Sequence, residues 1–321
     1  MHQSSGLQQK LDIKYKKQKW QVIKEHYLKS ILSDNPANKY KRINSSAIAY
    51  PGGKTMGVGL MMEHLPEIKT LVSPFFGGGS FEFAVSRVFN IPVVGYDINP
   101  FLVAFWRCLI MYNELFVDML DEPEYAATIE AHRATMHIIQ DYYKGKTTID
   151  NDITMGLLFA HNIMLSWGNI FPGWACHEKM SEEKWGMYKD QLRRWSKQSS
   201  GASKGWDVEV VKADFEMSIF SSGGEFLYCD PPYIQPEVDA TSQMRVNKDV
   251  YYGHKHFNHK KLLEVLKEHK GKFMLSYNDC ELARKWYDWC RIVPMQWSYA
   301  LTRRAHIPEG RMGYELLIMN Y

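Results

Sequence analysis

The sequence has 321 residues, of which 45% are hydrophobic and 23% are charged. This composition excludes a wholly disordered chain, and the length predicts one large domain with an insertion, or two domains. A formal net charge of +3 is too small to indicate a nucleic-acid partner by itself. The five scattered cysteines, the absence of a signal-peptide pattern and the absence of a long apolar run predict a soluble cytoplasmic protein without a membrane partner.

The first 45 residues form a basic segment. Residues 1–42 carry ten lysines and arginines against three acids. Apolar residues recur in this arm at helical spacing, namely Trp20, Ile23, Tyr27 and Ile31, before a stop at Asp34-Asn35-Pro36. We interpret residues 1–45 as a basic helical arm. Its apolar stripe favours docking on the main domain, and its lysines keep phosphate contact open as the alternative.

A glycine pair followed by a lysine comes next, in Tyr50-Pro51-Gly52-Gly53-Lys54. With the following threonine it resembles the end of a P-loop, but the glycine required five residues before Gly53 is replaced by Ile48. Two glycines and a lysine still suit an anionic ligand group, which backbone N–H donors and a cation hold. A plain glycine-rich turn is the alternative.

The segment from residue 70 to residue 97 has the pattern of a βαβ half-unit. The pattern predicts a buried strand over residues 70–75, which is followed by a tight loop at Phe76-Gly77-Gly78-Gly79. It then predicts a helix over residues 80–90 and a second strand over residues 92–96, which ends on Asp97. Bare backbone after one strand and a carboxylate after the next are typical of a nucleoside site. Because the G-x-G-x-x-G spacing is missing, we exclude NAD and FAD and predict a nucleoside with a short charged tail.

Between residues 101 and 205 the pattern becomes helical, with helices predicted over residues 101–120, 126–143, 154–167 and 182–195. A turn rich in glycine and aromatic residues contains Trp167 and Asn169, and the last helix carries Arg193 and Arg194. We interpret residues 101–205 as an inserted helical domain. Basic and aromatic side chains suit contact with DNA, whereas a small core of its own is the alternative for the same residues.

Strands resume at residues 208–213, which precede Asp214 and Phe215, and at residues 226–229, which precede Asp230-Pro231-Pro232-Tyr233. Two consecutive prolines cannot donate ladder hydrogen bonds, so the second strand ends in a rigid extended turn. That turn presents a carboxylate, carbonyl oxygens and a ring where ligands bind in open α/β sheets. Such a group suits a flat ring that carries an amine. For this tetrapeptide alone, an ordinary turn after a buried strand is the alternative.

The remaining residues predict a helix over 258–270 capped by Asn258, a strand over 273–277, a helix over 280–289, and strands over 291–297 and 313–320. A basic loop with Arg303 and Arg304 joins the last two strands. The histidines at positions 254, 256 and 259 lack an accompanying carboxylate or thiol pattern, so we predict no metal site.

Together these segments resemble the Dam-like, D12 class of DNA adenine-N6 methyltransferases. Tyr50-Pro51-Gly52-Gly53-Lys54 resembles the family's aromatic-x-Gly-Gly-Lys segment, Pro74-Phe75-Phe76-Gly77-Gly78-Gly79 its cofactor loop, and Asp97 its ribose acid. Asp214 and Phe215 resemble the segment that contacts the cofactor's adenine, and Asp230 to Tyr233 its catalytic motif. The resemblance covers about residues 46–321 and depends most on the order of the motifs.

The resemblance implies a Rossmann-like methyltransferase sheet in an α/β protein, mostly parallel with an antiparallel terminal strand. It divides the chain into a catalytic domain of residues 46–100 and 206–321 and a helical target-recognition domain of residues 101–205. S-adenosylmethionine is the implied methyl donor, and a flipped adenine in double-stranded DNA is the implied acceptor. A cognate restriction endonuclease is compatible with this family, as is a monomer or a weak dimer.

The resemblance also assigns roles to residues. The implied catalytic residues are Asp230, Pro231, Pro232 and Tyr233. The implied cofactor-binding residues are Tyr50, Gly52, Gly53, Lys54, Phe75, Phe76, Gly77, Gly78, Gly79, Ser80, Asp97, Ile98, Asp214, Phe215 and Asp230. The implied DNA-binding residues are Trp167, Asn169, Arg193, Arg194, Arg303 and Arg304.

Two positions depart from the family pattern. Ser73 stands where an acid often precedes the cofactor loop, and Ala49 stands where Dam itself frequently has a basic residue. Methylation of the cytosine N4 amine is the enzymatic alternative, although a serine at position 230 would have favoured it. A catalytically silent DNA-binding protein on the same scaffold is the non-enzymatic alternative, and an RNA substrate is a lesser one because no RNA-binding module is recognisable.

Overall fold

A computed structural model of the protein describes residues 19–36, 38–173, 182–200, 207–234, 257–298 and 312–321. Within these ranges seven strands form one sheet. The strands are β1 (Leu71–Ser73), β2 (Val93–Asp97), β3 (Val208–Lys212), β4 (Phe226–Cys229), β5 (Phe273–Asn278), β6 (Arg291–Ser298) and β7 (Met312–Met319).

The described helices begin with α1, which covers residues 19–30. The others are α2 (Val58–His64), α3 (Ser80–Phe89), α4 (Pro100–Tyr112), α5 (Glu114–Asp118), α6 (Ile129–Tyr143), α7 (Asp152–Leu165), α8 (Glu182–Ser200), α9 (Phe215–Ser221), α10 (His259–Glu268) and α11 (Glu281–Trp286). Single turns of 3₁₀ helix follow α5 at Met119–Asp121 and Pro123–Tyr125.

The strand order is β3-β2-β1-β4-β5-β7-β6. Strands β1 to β5 pair in parallel, and β7 runs antiparallel between β5 and β6. This confirms the prediction of a mostly parallel sheet with an antiparallel terminal strand. The chain leaves β1 towards β2 and β3 on one side and later returns to β4 and β5 on the other, so the order reverses between β1 and β4. A crevice opens at such a reversal, and ligands of open α/β sheets bind there.

Each face of the sheet contributes to a separate apolar core, because successive side chains of a strand point to opposite faces. Leu71, Val93, Tyr228 and Leu317 belong to one cluster, which α2, α3 and the helices from α4 to α8 complete. Val72, Leu227, Leu275 and Ile318 belong to the other, which α9, α10 and α11 cover. The sheet is therefore the middle layer between two layers of helices.

The helical segment shares the first of these cores with the sheet. Helix α4 begins at Pro100 after Asn99, whose side chain accepts hydrogen bonds from the first backbone N–H groups of the helix. Its residues Phe105 and Trp106 are fully buried and join α4 to Phe159 of α7 and Trp195 of α8. The predicted continuous helix over residues 101–120 was wrong at one point. Asn113 has a φ of 51°, through which a right-handed helix cannot continue.

Helix α1 packs on the sheet domain through its apolar stripe. The rings of Trp20 and Phe89 are stacked with centroids 3.8 Å apart, and Ile31 is buried. Lys24 Nζ donates to the carbonyl oxygens of Glu63 and Leu65 at the end of α2. The docked interpretation of the arm is thus correct from residue 19 onwards, while residues 1–18 lie outside the described ranges.

Two short helices, α2 and α9, were not predicted from the sequence pattern.

In the part of the chain that the structure describes, no single helix is long and apolar enough to cross a membrane. The pair formed by α4 and residues Glu114–Asp121 passes that test together, but it is bent by 120°.

Candidate active site

The turn after β4 lies at the edge of the crevice between β1 and β4. Two side chains hold the Asp230 carboxylate in place. Its Oδ2 lies 2.7 Å from Lys54 Nζ, and its Oδ1 accepts a hydrogen bond from Ser276 Oγ at 2.9 Å. Pro231 is buried and Pro232 is half-buried. The carboxylate is therefore fixed from two directions at the carboxyl end of its strand.

Lys54 is the buried cation of this site, since its side chain is only 4% exposed. Its ammonium group also donates to the Gly52 carbonyl at 2.8 Å and lies 3.9 Å from Glu315 Oε2. Burial opposes the charged form, but the attraction of Asp230 and Glu315 prevails and raises the pKa of Lys54. The ammonium group of Lys54 thus pairs with the protein's own carboxylates, whereas the sequence pattern had suggested that it holds an anionic group of a ligand.

Tyr233 is oriented by the same cluster. Its hydroxyl group donates to Glu315 Oε2, and its ring centroid lies 5.1 Å from Lys54 Nζ. The next residue is also held, because Asn278 Nδ2 donates to the Ile234 carbonyl at 2.9 Å. The aromatic ring therefore has a defined direction next to the carboxylate.

The loop after β1 is a tight turn in which Gly77 is half-buried and Gly78 and Gly79 are buried. Gly77 and Gly79 have φ values of 49° and 64°, which favour glycine, and a side chain at Gly78 would approach Tyr50 to within 2.9 Å. Trp106 Nε1 donates to the Gly77 carbonyl at 2.9 Å and fixes the loop from below. Ser80 begins α3 directly afterwards. This arrangement brings Tyr50, the glycines and the start of a helix together, and their role in binding a nucleoside cofactor stays a prediction.

Asp97 lies beside that loop at the end of β2. Its two oxygens accept backbone N–H groups, from Gly77 at 3.0 Å and from Asn99 at 2.9 Å. Burial raises the pKa of Asp97, and these hydrogen bonds oppose the shift. Each carboxylate oxygen has two lone pairs, so Asp97 retains acceptor capacity for hydroxyl groups. The neighbouring Ile98 is 36% exposed.

Beneath the loop, Ser73 is paired with an acid that the sequence reading overlooked. Ser73 Oγ donates to Glu82 Oε1 at 2.6 Å, and Glu82 is 2% exposed. Burial raises the pKa of the Glu82 carboxyl to about 7, against the opposing effect of the Ser73 hydrogen bond. The first turn of α3 therefore supplies a carboxyl group next to the position where Ser73 replaces the usual acid.

Asp214 and Phe215 follow β3 and begin α9. The Asp214 side chain accepts the backbone N–H of Met217 at 2.8 Å, which caps the helix. Phe215 packs against Phe75, with centroids 5.7 Å apart, and against Phe257, with centroids 5.2 Å apart. These rings form an aromatic wall on the second face of the sheet, near the ends of β1 and β3.

The predicted DNA-contacting residues of the helical segment lie in different surroundings. Trp167 is 63% exposed and Arg194 is exposed, whereas Asn169 is half-buried and donates to the Ile163 carbonyl at 3.2 Å. Arg303 and Arg304 lie outside the described ranges. The structure does not test these assignments, which stay predictions.

Arg193 already has partners within the protein. Its Nη2 lies 2.9 Å from Asp118 Oδ1 and 2.9 Å from Asp121 Oδ2, and Lys189 also contacts Asp121. These pairs fasten α8 to the end of α5 and to the 3₁₀ turn after it. These ion pairs give Arg193 a structural role, which is the alternative to its predicted contact with DNA.

Four further residues complete the site, namely Glu82, Ser276, Asn278 and Glu315. Ser276, Asn278 and Glu315 come from β5 and β7, and three of the four are almost fully buried. For Glu315 alone the sequence holds a signal, since it is the one charged residue of β7 and directly precedes an apolar run, and buried charged groups are rare without a partner. The histidine at position 259 contacts the Tyr277 hydroxyl at 2.6 Å, and the described residues contain no group of three or more metal-ligating side chains.

Comparison with known proteins agrees with this geometry. The family model of D12 class N6 adenine-specific DNA methyltransferases matches residues 50–155 and 178–301. The chain therefore belongs to the D12 class of N6 adenine-specific DNA methyltransferases, and it is a methyltransferase. The matched residues include the glycine loop after β1, Asp97 and the turn from Asp230 to Tyr233.

Two solved structures of the rRNA methyltransferase aviRa from Streptomyces viridochromogenes also align with the chain. Both are 11% identical in sequence, with TM-scores of 0.31 and 0.28. The first alignment covers 86% of this chain and 90% of that chain, and the second covers 89% and 88%. Curated protein sequences gave no significant match. The fold assignment depends on the strand order and not on these distant alignments.

Proposed function

We propose that the protein transfers a methyl group from S-adenosylmethionine to the N6 amine of an adenine that is flipped out of duplex DNA. The observation that carries this proposal is the fixed Asp230 carboxylate, which stands beside the Tyr233 ring at the point where the strand order reverses. The glycine loop after β1 lies on the other side of the same crevice. Donor and acceptor sites are thus adjacent.

The residues present fit the donor. The close approach of Tyr50 leaves no room for a side chain at Gly78, so this position of the loop requires glycine. Asp97 has spare acceptor capacity for ribose hydroxyl groups, and the ring of Phe215 offers an apolar surface for a base. The donor supplies an electrophilic methyl group on a sulfonium sulfur. Glu82 would add a buried carboxyl group at the start of α3, directly after this loop.

The acceptor amine needs activation because its lone pair is delocalised into the adenine ring. The Asp230 carboxylate and the Pro231 carbonyl can each accept one N–H of this amine, which draws the nitrogen towards tetrahedral geometry. They also stabilise the positive charge that grows on the nitrogen in the transition state. Lys54 and Ser276 hold the carboxylate, so its orientation does not have to be established during the reaction.

Tyr233 offers a face on which the extruded base stacks. Extrusion is required because the amine cannot be reached inside the duplex. We infer that the helical segment grips the DNA and reads base edges, with phosphate contacts that position the duplex and base contacts that specify the site. Cytoplasmic location and a partner endonuclease stay predictions from the sequence.

The proposal is tested with radiolabelled S-adenosylmethionine and duplex DNA of mixed sequence, followed by digestion to nucleosides. We expect label in N6-methyladenosine. Label in N4-methylcytidine would move the assignment to cytosine. Retained DNA binding without any label would instead support a silent scaffold.

A variant links this chemistry to the site. In Asp230→Ala we expect transfer to fall by at least about 10²-fold to 10³-fold, because an acceptor that acts in the transition state is lost. Donor affinity, measured by calorimetry, is expected to change little. Ser86→Ala removes a buried hydroxyl group of α3, which donates to the Ile91 carbonyl, and this variant serves as the control for a general loss of stability. Full activity in Asp230→Ala contradicts the mechanism.

A further inference from the structure

Among the residues that the structure describes, the turn that follows β4 has no backbone partner in the sheet. Ladder pairing between β4 and β5 ends at Cys229 opposite Leu275. Neither Pro231 nor Pro232 has an N–H group to donate, so the strands beside the turn cannot extend the ladder across it. Its geometry therefore depends on side chains from neighbouring elements.

Three side chains from β5 and β7 supply that support. Ser276 Oγ donates to Asp230 Oδ1 at 2.9 Å, and Asn278 Nδ2 donates to the Ile234 carbonyl at 2.9 Å. Glu315 accepts the hydroxyl hydrogen of Tyr233. The beginning, the end and the aromatic ring of the turn are each held by a different residue.

The sheet register places these three residues together. Ser276 and Asn278 are two positions apart in β5, so they project from the same face. Asn278 is directly opposite Glu315 in the antiparallel pair of β5 and β7. The turn from Asp230 to Ile234 therefore rests on one contiguous polar patch at the carboxyl end of β5.

Burial of this polar patch is unfavourable for the stability of the fold, so the patch calls for a functional explanation. Ser276 is fully buried and Glu315 is 2% exposed, while Met274, Leu317 and Met319 on the same face are apolar and buried. A buried carboxylate is unfavourable unless it is paired, and apolar residues of similar size commonly stabilise a core better. The contacts to the turn and to Lys54 are the interactions that compensate for this burial.

We propose that Ser276, Asn278 and Glu315 are positioning residues that fix the turn from Asp230 to Tyr233 in its reactive geometry. In this role, Glu315 sets the direction of the Tyr233 ring on which the target base stacks. This inference rests on the proposed function. Reactive groups must be held to within about 0.5 Å, and a displacement of about 1 Å lowers the rate by roughly 10²-fold.

The bond between Tyr233 and Glu315 permits a direct test. Tyr233→Phe removes only the hydroxyl group and keeps a ring for stacking. Glu315→Gln keeps the size and an acceptor oxygen but removes the charge, so it weakens the bond instead of abolishing it. If the bond directs the ring, each variant lowers kcat by about 10-fold to 10²-fold, and the double variant is no slower than the worse single variant. The affinity for S-adenosylmethionine, measured by calorimetry, changes less than about threefold because the donor loop is untouched.

Fluorescence gives a second measurement on the same proteins. Duplex DNA with 2-aminopurine at the target base reports stacking of the flipped base. We expect brighter emission with Tyr233→Phe and with Glu315→Gln than with the wild type, since the ring is no longer held parallel to the base. Should Glu315→Gln fail to fold, Tyr233→Phe tests the same bond alone.

The hydrogen bond from Asn278 to the Ile234 carbonyl can be tested against a control asparagine, Asn320, in the same sheet. Asn278→Ala and Asn320→Ala each remove hydrogen bonds between an asparagine side chain and backbone, but Asn320 holds Gly271 and Phe273 at the opposite edge of the sheet. We expect both variants to lower the unfolding midpoint and only Asn278→Ala to lower kcat.

The outcomes are distinguishable. No methyl transfer by the wild type overturns the proposed function and this inference with it. Normal transfer by the wild type, combined with multiplicative effects of Tyr233→Phe and Glu315→Gln or an unchanged kcat in Asn278→Ala, overturns this inference alone.

Discussion

Two clusters in this molecule each surround a basic side chain with carboxylates. In the first, Lys54 contacts Asp230 and Glu315, and the side-chain exposures are 4%, 20% and 2%. In the second, Arg193 contacts Asp118 and Asp121, with exposures of 25%, 57% and 51%. The distances are alike, since the shortest pairs are 2.7 Å and 2.9 Å long. Burial is the property that separates them.

That difference decides what each cluster contributes. Water and salt screen the attraction between exposed charges, so such pairs contribute roughly 0 to 1 kcal/mol. A buried pair contributes little net stability when it is complete, but removal of one partner leaves a charge without compensation and costs about 3 to 5 kcal/mol. The Lys54 cluster fixes the geometry of the site, and the Arg193 cluster fastens one helix to another.

The largest effect is expected for Lys54→Met. This substitution leaves Asp230 and Glu315 without their cation, and we expect it to lower the free energy of unfolding by about 3 to 5 kcal/mol. Arg193→Met is the matched variant in the exposed cluster, and about 1 kcal/mol or less is expected there. Urea unfolding measures both. Equal losses in the two variants would show that burial does not separate the clusters.

A pH titration extends the comparison of buried and exposed charges to Glu82, a buried carboxyl group outside both clusters. The pKa of this carboxyl rises from an ordinary 4.5 to about 7 in the folded protein. The folded state therefore binds the proton more tightly, so this group stabilises the fold below about pH 4.5, and that stability is lost as the pH rises through about 7. The total is on the order of 3 kcal/mol.

Glu82→Gln removes this titration. We expect the variant to gain stability relative to the wild type as the pH increases from 5 to 8. Urea unfolding at several pH values gives the difference between the two proteins at each pH. A difference that does not change with pH would contradict the raised pKa of Glu82.

The smallest effect concerns DNA contact by α8. Arg194 is exposed next to the paired Arg193. If Arg194 contacts a phosphate, Arg194→Gln reduces the slope of log affinity against log salt concentration by about 1. Arg193→Gln is the neighbouring control, for which we expect no change in slope. An unchanged slope in Arg194→Gln would remove this residue from the DNA interface.

Much of the sheet could be predicted because it depends on local patterns. Short apolar runs that end at Asp97 and Asp230 identified β2 and β4 and placed both acids at the carboxyl edge. The apolar stripe that contains Trp20 likewise predicted a docked helix. Helices α2 and α9 have seven residues each, too few for a clear period, and they were missed.

The partners of the site residues could not be predicted, since they come from distant parts of the chain. Lys54 and Asp230 are 176 positions apart, and Tyr233 and Glu315 are 82 apart. Periodicity carries no information about such contacts. The same holds for Glu82, whose side chain looks like an ordinary acid in the first turn of a helix until the burial of α3 is known.

The position of β7 between β5 and β6 gives Glu315 a second role in the fold. Neighbouring positions in a strand point to opposite faces, so a slip of one residue would turn every side chain of β7 over. Leu316 or the exposed Tyr314 would then face Lys54, and the Glu315 carboxylate would enter the apolar cluster that contains Leu316 and Ile318. Both changes are unfavourable, because an unpaired charge would be buried on each side of the sheet. The contact between Glu315 and Lys54 therefore selects one alignment of β7, and correct strand pairing and a complete active site form together.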